Sequence, residues 1–245
     1  MPEFVWALHA GTEDGATAEG VLPQAERNRG QLMKDVAIFL FDLTGHMAQP
    51  WLDAGFTCYI VDIQHPRGCH PDSANPRLIR VGADLRNGWL PPSEIASRVA
   101  FVAAFPPCDH LAVSGARWFR GKGLRMLSLS IDLFATAAEL CEWFCAPYLI
   151  ENPISTISTY WRKPDYTFHP WHFAALETGD NYTKMTCLWT GGGFVMPQPQ
   201  IDLSLGDPDD RIHKCPPSAD RANIRSATPR GFALAVFSAN RPRPE

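Results

Sequence analysis

The chain has 245 residues, of which 45% are hydrophobic, enough to bury the core of one domain. A net charge of −4 and a pI near 6.1 exclude a globally basic chain, so any nucleic-acid contact must come from local Arg and Lys clusters. Seven cysteines without a Cys-x-x-Cys pair are typical of a reduced, intracellular protein. Without a secretory leader or an 18-residue apolar span, we expect a soluble, cytoplasmic protein that does not contact a membrane.

The predicted elements begin after an extension or loosely attached arm at residues 1–33. Apolar runs predict five successive strands, and a Pro, Gly and His-rich loop is expected at 65–76 between the second and third. The five strands are predicted at 36–41, 57–63, 77–84, 99–105 and 147–150. Helices are predicted at 47–54, at 93–98 with Ser93 as the N-cap, and at 124–145 with an apolar stripe from Leu127 to Cys145.

This alternation of strands and helices predicts an α/β fold with a doubly wound, mostly parallel sheet, since parallel neighbours need a crossover helix. The main domain is expected at 34–196, with a further strand at 186–192. A polar loop at 197–224 and a closing helix and tail at 225–245 complete the chain.

Three acidic residues, Asp42, Asp62 and Asp84, stand at the ends of the first three strands, and the turn Asp42-Leu43-Thr44-Gly45 follows the first. In doubly wound folds such carboxylates bind the ribose or amino group of a nucleoside-containing cofactor. The alternative is that each Asp caps the next element.

Cys108 and Glu151 follow two neighbouring predicted strands and would meet at one sheet edge. A thiolate is the strongest side-chain nucleophile near neutral pH, and an enclosed carboxyl group can donate a proton to a ring nitrogen. The alternatives are a buried cysteine and a surface acid. A zinc site at Cys58, His65, Cys69 and His70 is a further possibility, but its spacing fits no structural zinc pattern, so we expect no metal.

The motifs Pro106-Pro107-Cys108 and Glu151-Asn152-Pro153, in this order, resemble those of the cytosine-5 DNA methyltransferases, in particular small phage-encoded forms. The segments 163–173 (KPDYTFHPWHF) and 184–197 (KMTCLWTGGGFVMP) are similar to the region after the second motif in those short relatives. The resemblance covers about residues 34–197. It implies a Rossmann-like fold, S-adenosyl-L-methionine as cofactor, cytosine-containing DNA as partner, and the host cytoplasm as location if a phage encodes the chain. No obligate protein partner is indicated.

The resemblance also implies a covalent mechanism. Cys108 would attack C6 of cytosine, Glu151 would protonate N3, and Asn152 would hold the base or position Glu151. The target base would be flipped out of the duplex beneath the loop 109–122. The implied cofactor-binding residues are Asp42, Leu43, Thr44, Gly45, Asp62, Ile63, Asp84, Leu85 and Pro106. The implied substrate-binding residues are Pro107, Ser114, Arg117 and Arg162, with Gly115, Arg120 and Lys122 as further contacts.

Two departures from the family pattern leave alternatives open. The turn DLTGHMA (42–48) has a single glycine, and the C-terminal part is too short for the family's usual DNA-reading module. The same chemistry could therefore act on free deoxycytidine nucleotides or use a modified sulfonium donor. An exocyclic-amine methyltransferase would need a polar residue before Pro-Pro and an aromatic residue after it, and the chain has Phe105 and Cys108. A catalytically silent nucleic-acid-binding relative is the remaining alternative.

Overall fold

A computed structural model describes residues 33–243, so the predicted extension lies outside the described residues apart from Met33. Residues 34–243 belong to one compact unit. Its strands are β1 (Val36–Leu40), β2 (Thr57–Pro71), β3 (Leu78–Gly82), β4 (Val99–Ala104), β5 (Tyr148–Pro153), β6 (Tyr166–Phe168) and β7 (Thr186–Gly191). Its helices are α1 (Gln49–Asp53), α2 (Ser93–Ala96), α3 (Phe119–Lys122), α4 (Leu124–Trp143), α5 (Ile157–Tyr160), α6 (Arg221–Ser226) and α7 (Arg230–Asn240).

All seven strands form one sheet in the order β3-β2-β1-β4-β5-β7-β6. The first five strands are parallel neighbours, whereas β7 runs antiparallel to both β5 and β6. The predicted α/β class with a mostly parallel sheet is confirmed. The strand order reverses between β1 and β4, and in open α/β sheets ligands bind in the crevice beyond the strand ends at such a switch point.

Each face of the sheet has its own hydrophobic core. Successive residues of β1 alternate between them, with Ile38 in one and Phe39 in the other. Helix α4 covers the first face with Phe134. Helices α1 and α7 cover the second, where Trp51 and Phe232 are fully buried. The apolar runs of β1 and β4 are continuous because both faces of these strands are buried.

The three predicted helices differ from the sequence prediction at their ends. Helix α1 spans Gln49–Asp53 instead of 47–54, and α2 ends at Ala96 instead of residue 98. Helix α4 ends at Trp143, and Cys145 lies beyond it, exposed and with a φ of +49°, where the chain turns into β5. Ser93 is the first residue of α2 and not its N-cap. Pro92 occupies the cap position in an extended conformation, and no side chain caps this helix.

The segment 65–71, predicted as a loop, belongs to β2. Residues 58–62 pair with β3 in parallel register, from Cys58 opposite Leu78 to Asp62 opposite Gly82. The chain then passes over the end of β3 and returns, so that Cys69 to Pro71 pair with Val81 to Ile79 in the opposite direction. We call residues 65–71 the return segment. Its polar, Pro- and Gly-containing sequence predicts a loop, and the pairing with β3 is made without the apolar pattern that marks the other strands.

The return segment requires glycine at position 82. A Cβ at Gly82 would clash with the backbone carbonyl oxygens of His65 and Pro66. We expect Gly82→Ala to lower the free energy of unfolding by about 2–4 kcal/mol, because backbone atoms must move to make room. Urea denaturation would measure this, with Gly115→Ala as the control because nothing lies within 4 Å of a Cβ there. Equal stability of the two variants would contradict the close approach.

Candidate functional site

The strand register aligns the ends of three central strands. Leu40 of β1 lies opposite Ala104 of β4, which lies opposite Ile150 of β5. The residues that follow these three positions therefore emerge at one edge of the sheet. Asp42 and Cys108 follow β1 and β4, and Glu151 is the next residue of β5, so the structure brings the predicted site residues of these strands to the switch-point crevice.

The Asp42 carboxylate organises the turn after β1. Its Oδ1 accepts hydrogen bonds from the backbone N–H groups of Thr44 (2.9 Å) and Gly45 (2.8 Å), and Gly45 has a φ of +70°. Its Oδ2 is buried without a partner among the described residues. Burial raises the pKa of Asp42, although the hydrogen bonds from Thr44 and Gly45 act to lower it. His65 of the return segment contacts the Asp42 carbonyl oxygen through Nε2 at 3.1 Å, so the turn after β1 is supported from a second strand.

The acids predicted at the ends of the second and third strands have different surroundings. Asp62 lies within β2, at the last position that pairs with β3 in parallel register, so the strand end predicted there is wrong because β2 continues into the return segment. The partly buried Asp62 accepts a hydrogen bond from the Gln64 N–H at 2.7 Å, and the next residue, Ile63, is 68% exposed. The Asp84 carboxylate caps a short 3-10 helix and pairs with Arg86 at 2.6 Å, which lowers the pKa of Asp84. Leu85 is buried in the first core. Asp62 and Ile63 thus remain accessible from the crevice. The Asp84 carboxylate is bound to Arg86, and the Leu85 side chain is packed in the first core.

Cys108 lies at the crevice and not in the hydrophobic core. Pro106 before it is buried and Pro107 is exposed. The Cys108 carbonyl accepts hydrogen bonds from the N–H groups of Leu111 and Ala112, which fixes the backbone of this half-buried cysteine. Burial raises the pKa of Cys108 to about 11, and the nearby charge of Glu151 contributes. The free protein therefore holds a thiol rather than a thiolate at neutral pH.

Glu151 and Asn152 connect the end of β5 to the turn that carries Cys108. The Asn152 side chain is 1% exposed and donates a hydrogen bond to the Pro106 carbonyl oxygen at 2.9 Å. Burial raises the pKa of Glu151. A carboxyl group with a raised pKa can carry a proton at neutral pH, which a proton donor requires.

Lys184, which the sequence analysis missed, faces Glu151. Its Nζ lies 3.9 Å from Glu151 Oε1, and the side chains are only 13% and 15% exposed. The positive charge of Lys184 lowers the pKa of Glu151 and partly offsets burial. The antiparallel register of β5 and β7, with Glu151 opposite Leu188 and Pro153 opposite Thr186, is what brings the residues before Thr186 to this edge.

Unpartnered buried polar atoms concentrate at this edge of the sheet. Within residues 33–243, six buried side-chain N or O atoms have no hydrogen-bond partner, and four of them lie here. They are Asp42 Oδ2, Asn152 Oδ1, Ser155 Oγ and Thr156 Oγ1. Ser155 and Thr156 follow β5, and a bridge between Ala112 and Ser155 joins them to the loop after Cys108. Buried polar atoms are rarely left unpaired, which indicates that a ligand or water completes them.

The loop after Cys108 carries positive charge and borders a cavity. Ser114 and Arg117 are exposed in a short 3-10 helix, and Arg117 stacks on Trp118 with 5.0 Å to the ring centroid. No acidic residue occurs from 110 to 131. A cavity of about 390 Å³ lies beside the loop and the start of α4. Its lining residues are His110, Phe119, Arg120, Lys122, Gly123, Leu124 and Leu127.

Arg162 does not join the site. Its guanidinium pairs with Asp165 at 2.7 Å and donates to the Thr190 carbonyl oxygen at 3.1 Å. Thr190 lies opposite Leu149, so Arg162 is displaced along the sheet toward the start of β5 and away from Glu151. The ion pair with Asp165 leaves this arginine in a local structural role.

The four residues of the zinc alternative are separated. Cys58 is buried in the second core, His65 contacts the Asp42 turn, and Cys69 and His70 are exposed on the return segment. Among the residues that the structure describes, no group of three His, Cys, Asp or Glu side chains could hold a metal ion. Within the same residues, no helix has both the length and the apolar character needed to cross a membrane.

The raised pKa of Cys108 gives a direct prediction. In the free protein, its alkylation rate is expected to rise about tenfold per pH unit up to about pH 11, because only the thiolate reacts. Glu151→Gln should accelerate the reaction at pH 9 by about threefold, since a neighbouring negative charge is removed. Peptide mass spectrometry would follow each site, with the exposed Cys69 as an internal reference. A rate that levels off near pH 8.5 would show that Cys108 is not enclosed.

No protein-family model matches the chain, and no curated protein matches it in sequence. The fold and the site together define an α/β protein with a mostly parallel sheet. At its switch point a thiol, a carboxyl group and a lysine share one crevice.

Proposed function

We propose that this protein is an S-adenosyl-L-methionine-dependent methyltransferase that acts on C5 of cytosine in DNA through a covalent adduct between Cys108 and C6. The observation that carries the proposal is the placement of Cys108 and Glu151 at the same strand-end edge, where Ala104 lies opposite Ile150 and the Asn152 side chain donates a hydrogen bond to the Pro106 carbonyl oxygen. Attack at C6 is needed because C5 of cytosine is otherwise too weak a nucleophile.

The two side chains have complementary tasks. A proton from Glu151 to N3 draws electrons from the ring while the Cys108 sulfur bonds to C6, so C5 becomes nucleophilic. The Cys108 thiol loses its proton to solvent as sulfur bonds to C6. Once C5 carries the methyl group, the C5 proton passes to solvent, the bond between sulfur and C6 breaks, Glu151 takes back the proton from N3, and Cys108 regains a proton from solvent. Asn152 connects the Glu151 backbone to the Pro106 carbonyl and thus sets the distance between acid and nucleophile.

The crevice fits the cofactor in part. The unpartnered Asp42 Oδ2 is an acceptor for the amino group of the methionine part, Asp62 is free to accept from the ribose hydroxyls, and the exposed Ile63 offers an apolar surface to the adenine. When bound, the cofactor supplies an electrophilic methyl group for C5. Asp84 is occupied by Arg86, so the adenine amino group would need another acceptor.

Positive charge beside the crevice favours DNA over a free nucleotide as the substrate. Arg117, Arg120, Lys122 and Arg125 form no ion pair with the described residues, although the chain as a whole is acidic. A row of unpaired cations is suited to several phosphates, whereas a single nucleotide offers fewer negative charges.

The experiment that tests the proposal is transfer from methyl-labelled S-adenosyl-L-methionine to cytosine-containing DNA, with the products resolved as nucleosides. Label in 5-methylcytosine supports the proposal. Label in an exocyclic amine, or binding of the cofactor and DNA without transfer, would refute it.

The substrate class gives a separate prediction. Arg120→Ala and Lys122→Ala should each weaken binding to a DNA duplex by about threefold to tenfold, and reduce the dependence of log K on log salt by about one. Fluorescence anisotropy at several salt concentrations would measure both quantities. Lys34→Ala is the control, since this exposed lysine lies before β1 at the opposite edge of the sheet. Unchanged affinity in both loop variants would contradict the assignment of this loop to DNA.

A further inference from the structure

The connection from β6 to β7 delivers Lys184 to Glu151. Phe168 lies opposite Thr186, so the chain leaves β6 at His169 and re-enters β7 at the same level of the sheet. His169 and Lys184 are therefore neighbours, although 14 residues separate them along the chain.

The His169 ring holds the backbone of Lys184. Its Nδ1 accepts a hydrogen bond from the Lys184 N–H at 3.1 Å, which requires Nδ1 to be unprotonated and Nε2 to carry the hydrogen. The His169 N–H in turn faces Nδ1 of His172 at 3.5 Å, at the start of a short 3-10 helix from Pro170 to Phe173. Burial and the charge of His213 lower the pKa of His169, so the neutral ring that can accept this bond prevails at neutral pH.

We propose that His169 is a positioning residue that fixes the backbone of Lys184, so that the lysine ammonium group is held beside the Glu151 carboxylate. The catalytic consequence rests on the proposed function, because it assumes that Glu151 acts on the cytosine ring. The positioning itself can be tested without turnover.

The physical reason lies in the length and freedom of a lysine side chain. Its four-carbon stem has many rotamers, and at 3.9 Å the ion pair with Glu151 is held by no short hydrogen bond. A fixed backbone limits where the ammonium group can lie. The other groups that interact with the Glu151 charge, Cys108, Tyr182 and Cys187, are not cationic, so they cannot replace Lys184.

The test compares three substitutions at one position. His169→Leu removes the acceptor, His169→Asn restores an acceptor atom at the same distance from Cβ as Nδ1, and His169→Gln places it one bond further out. The pKa of Glu151 would be measured in each by carbon-13 NMR of labelled glutamate carboxyl groups, with Glu151→Gln to assign the signal. We expect the leucine and glutamine variants to raise the Glu151 pKa above the wild-type value and the asparagine variant to restore it.

Kinetics supply the second measurement. If Glu151 protonates the base, the leucine and glutamine variants should shift the loss of kcat at high pH upward, in step with the higher pKa of Glu151, with little change in the KM for DNA. His70→Leu is the matched control, because His70 also bonds a backbone group but lies on the return segment. If the leucine variant fails to fold, the Glu151 pKa in the His169→Gln variant is compared with that in the His169→Asn variant, and this difference tests the inference.

Wild-type titration of Glu151 in both the leucine and glutamine variants would overturn the inference. This outcome is distinct from failure of the proposed function, which would appear as absence of transfer to cytosine by the wild-type protein.

Discussion

Cys108→Ser is expected to reduce methyl transfer to cytosine by about a thousandfold or more, while the affinity for S-adenosyl-L-methionine changes less than about threefold. The hydroxyl is a far weaker nucleophile than the thiol, and Asp42, Asp62 and Ile63, which the proposal assigns to the cofactor, belong to the turn after β1 and to β2. Single-turnover kinetics and calorimetry would measure the two quantities. Cys69→Ser is the matched control, because Cys69 is exposed on the return segment.

The covalent step can also be trapped. DNA that contains 5-fluorocytosine should leave an adduct that survives denaturation, because fluorine at C5 cannot depart as a proton does. Peptide mapping should locate the adduct at Cys108 in the wild-type protein and find none in Cys108→Ser. If normal DNA is methylated and no adduct forms, the covalent mechanism is wrong.

Lys184→Met should give the second large effect, on stability and its pH dependence. The substitution removes the positive charge that lowers the pKa of Glu151. Burial then raises this pKa further above its value in the unfolded chain. The folded state then binds the proton more tightly, so stability is retained at low pH and lost as the pH rises through the folded pKa. We expect the free energy of unfolding to fall by about 2 kcal/mol at pH 8 and by less at pH 5.

Urea denaturation at the two pH values would measure this difference. Lys214→Met is the control, because its ion pair with Asp210 is on the surface and should contribute little. An equal loss for Lys184→Met at both pH values would show that the lysine packs against its neighbours without influencing Glu151.

The sequence predicts the central strands well, because strands that are buried on both faces appear as uninterrupted runs of apolar residues. The apolar run 99–105 predicts β4, which occupies Val99–Ala104, and the run 36–41 predicts β1 at Val36–Leu40. Both strands contribute to the two cores, so every position is apolar. The order of these strands then places Asp42 and Cys108 at one edge without knowledge of side-chain contacts.

The parts of the site that escape prediction depend on pairing between distant segments. Lys184 meets Glu151 only through the antiparallel register of β5 and β7. Nothing in the residues around Lys184 marks it as different from a surface lysine. The contacts of Asp84, in contrast, are with residues close to it in sequence. Its carboxylate pairs with Arg86 and caps the short helix that follows, as the alternative interpretation of this aspartate as a cap predicts.

The return segment has a consequence for the behaviour of the protein at high concentration. Because Cys69 to Pro71 pair with Val81 to Ile79, β3 is not an open border of the sheet, and the border on this side is a stretch of three paired residues. The opposite border is β6, which has only three residues. Unpaired strands at a sheet border act as templates for aggregation, so this arrangement protects the folded chain from intermolecular β-pairing.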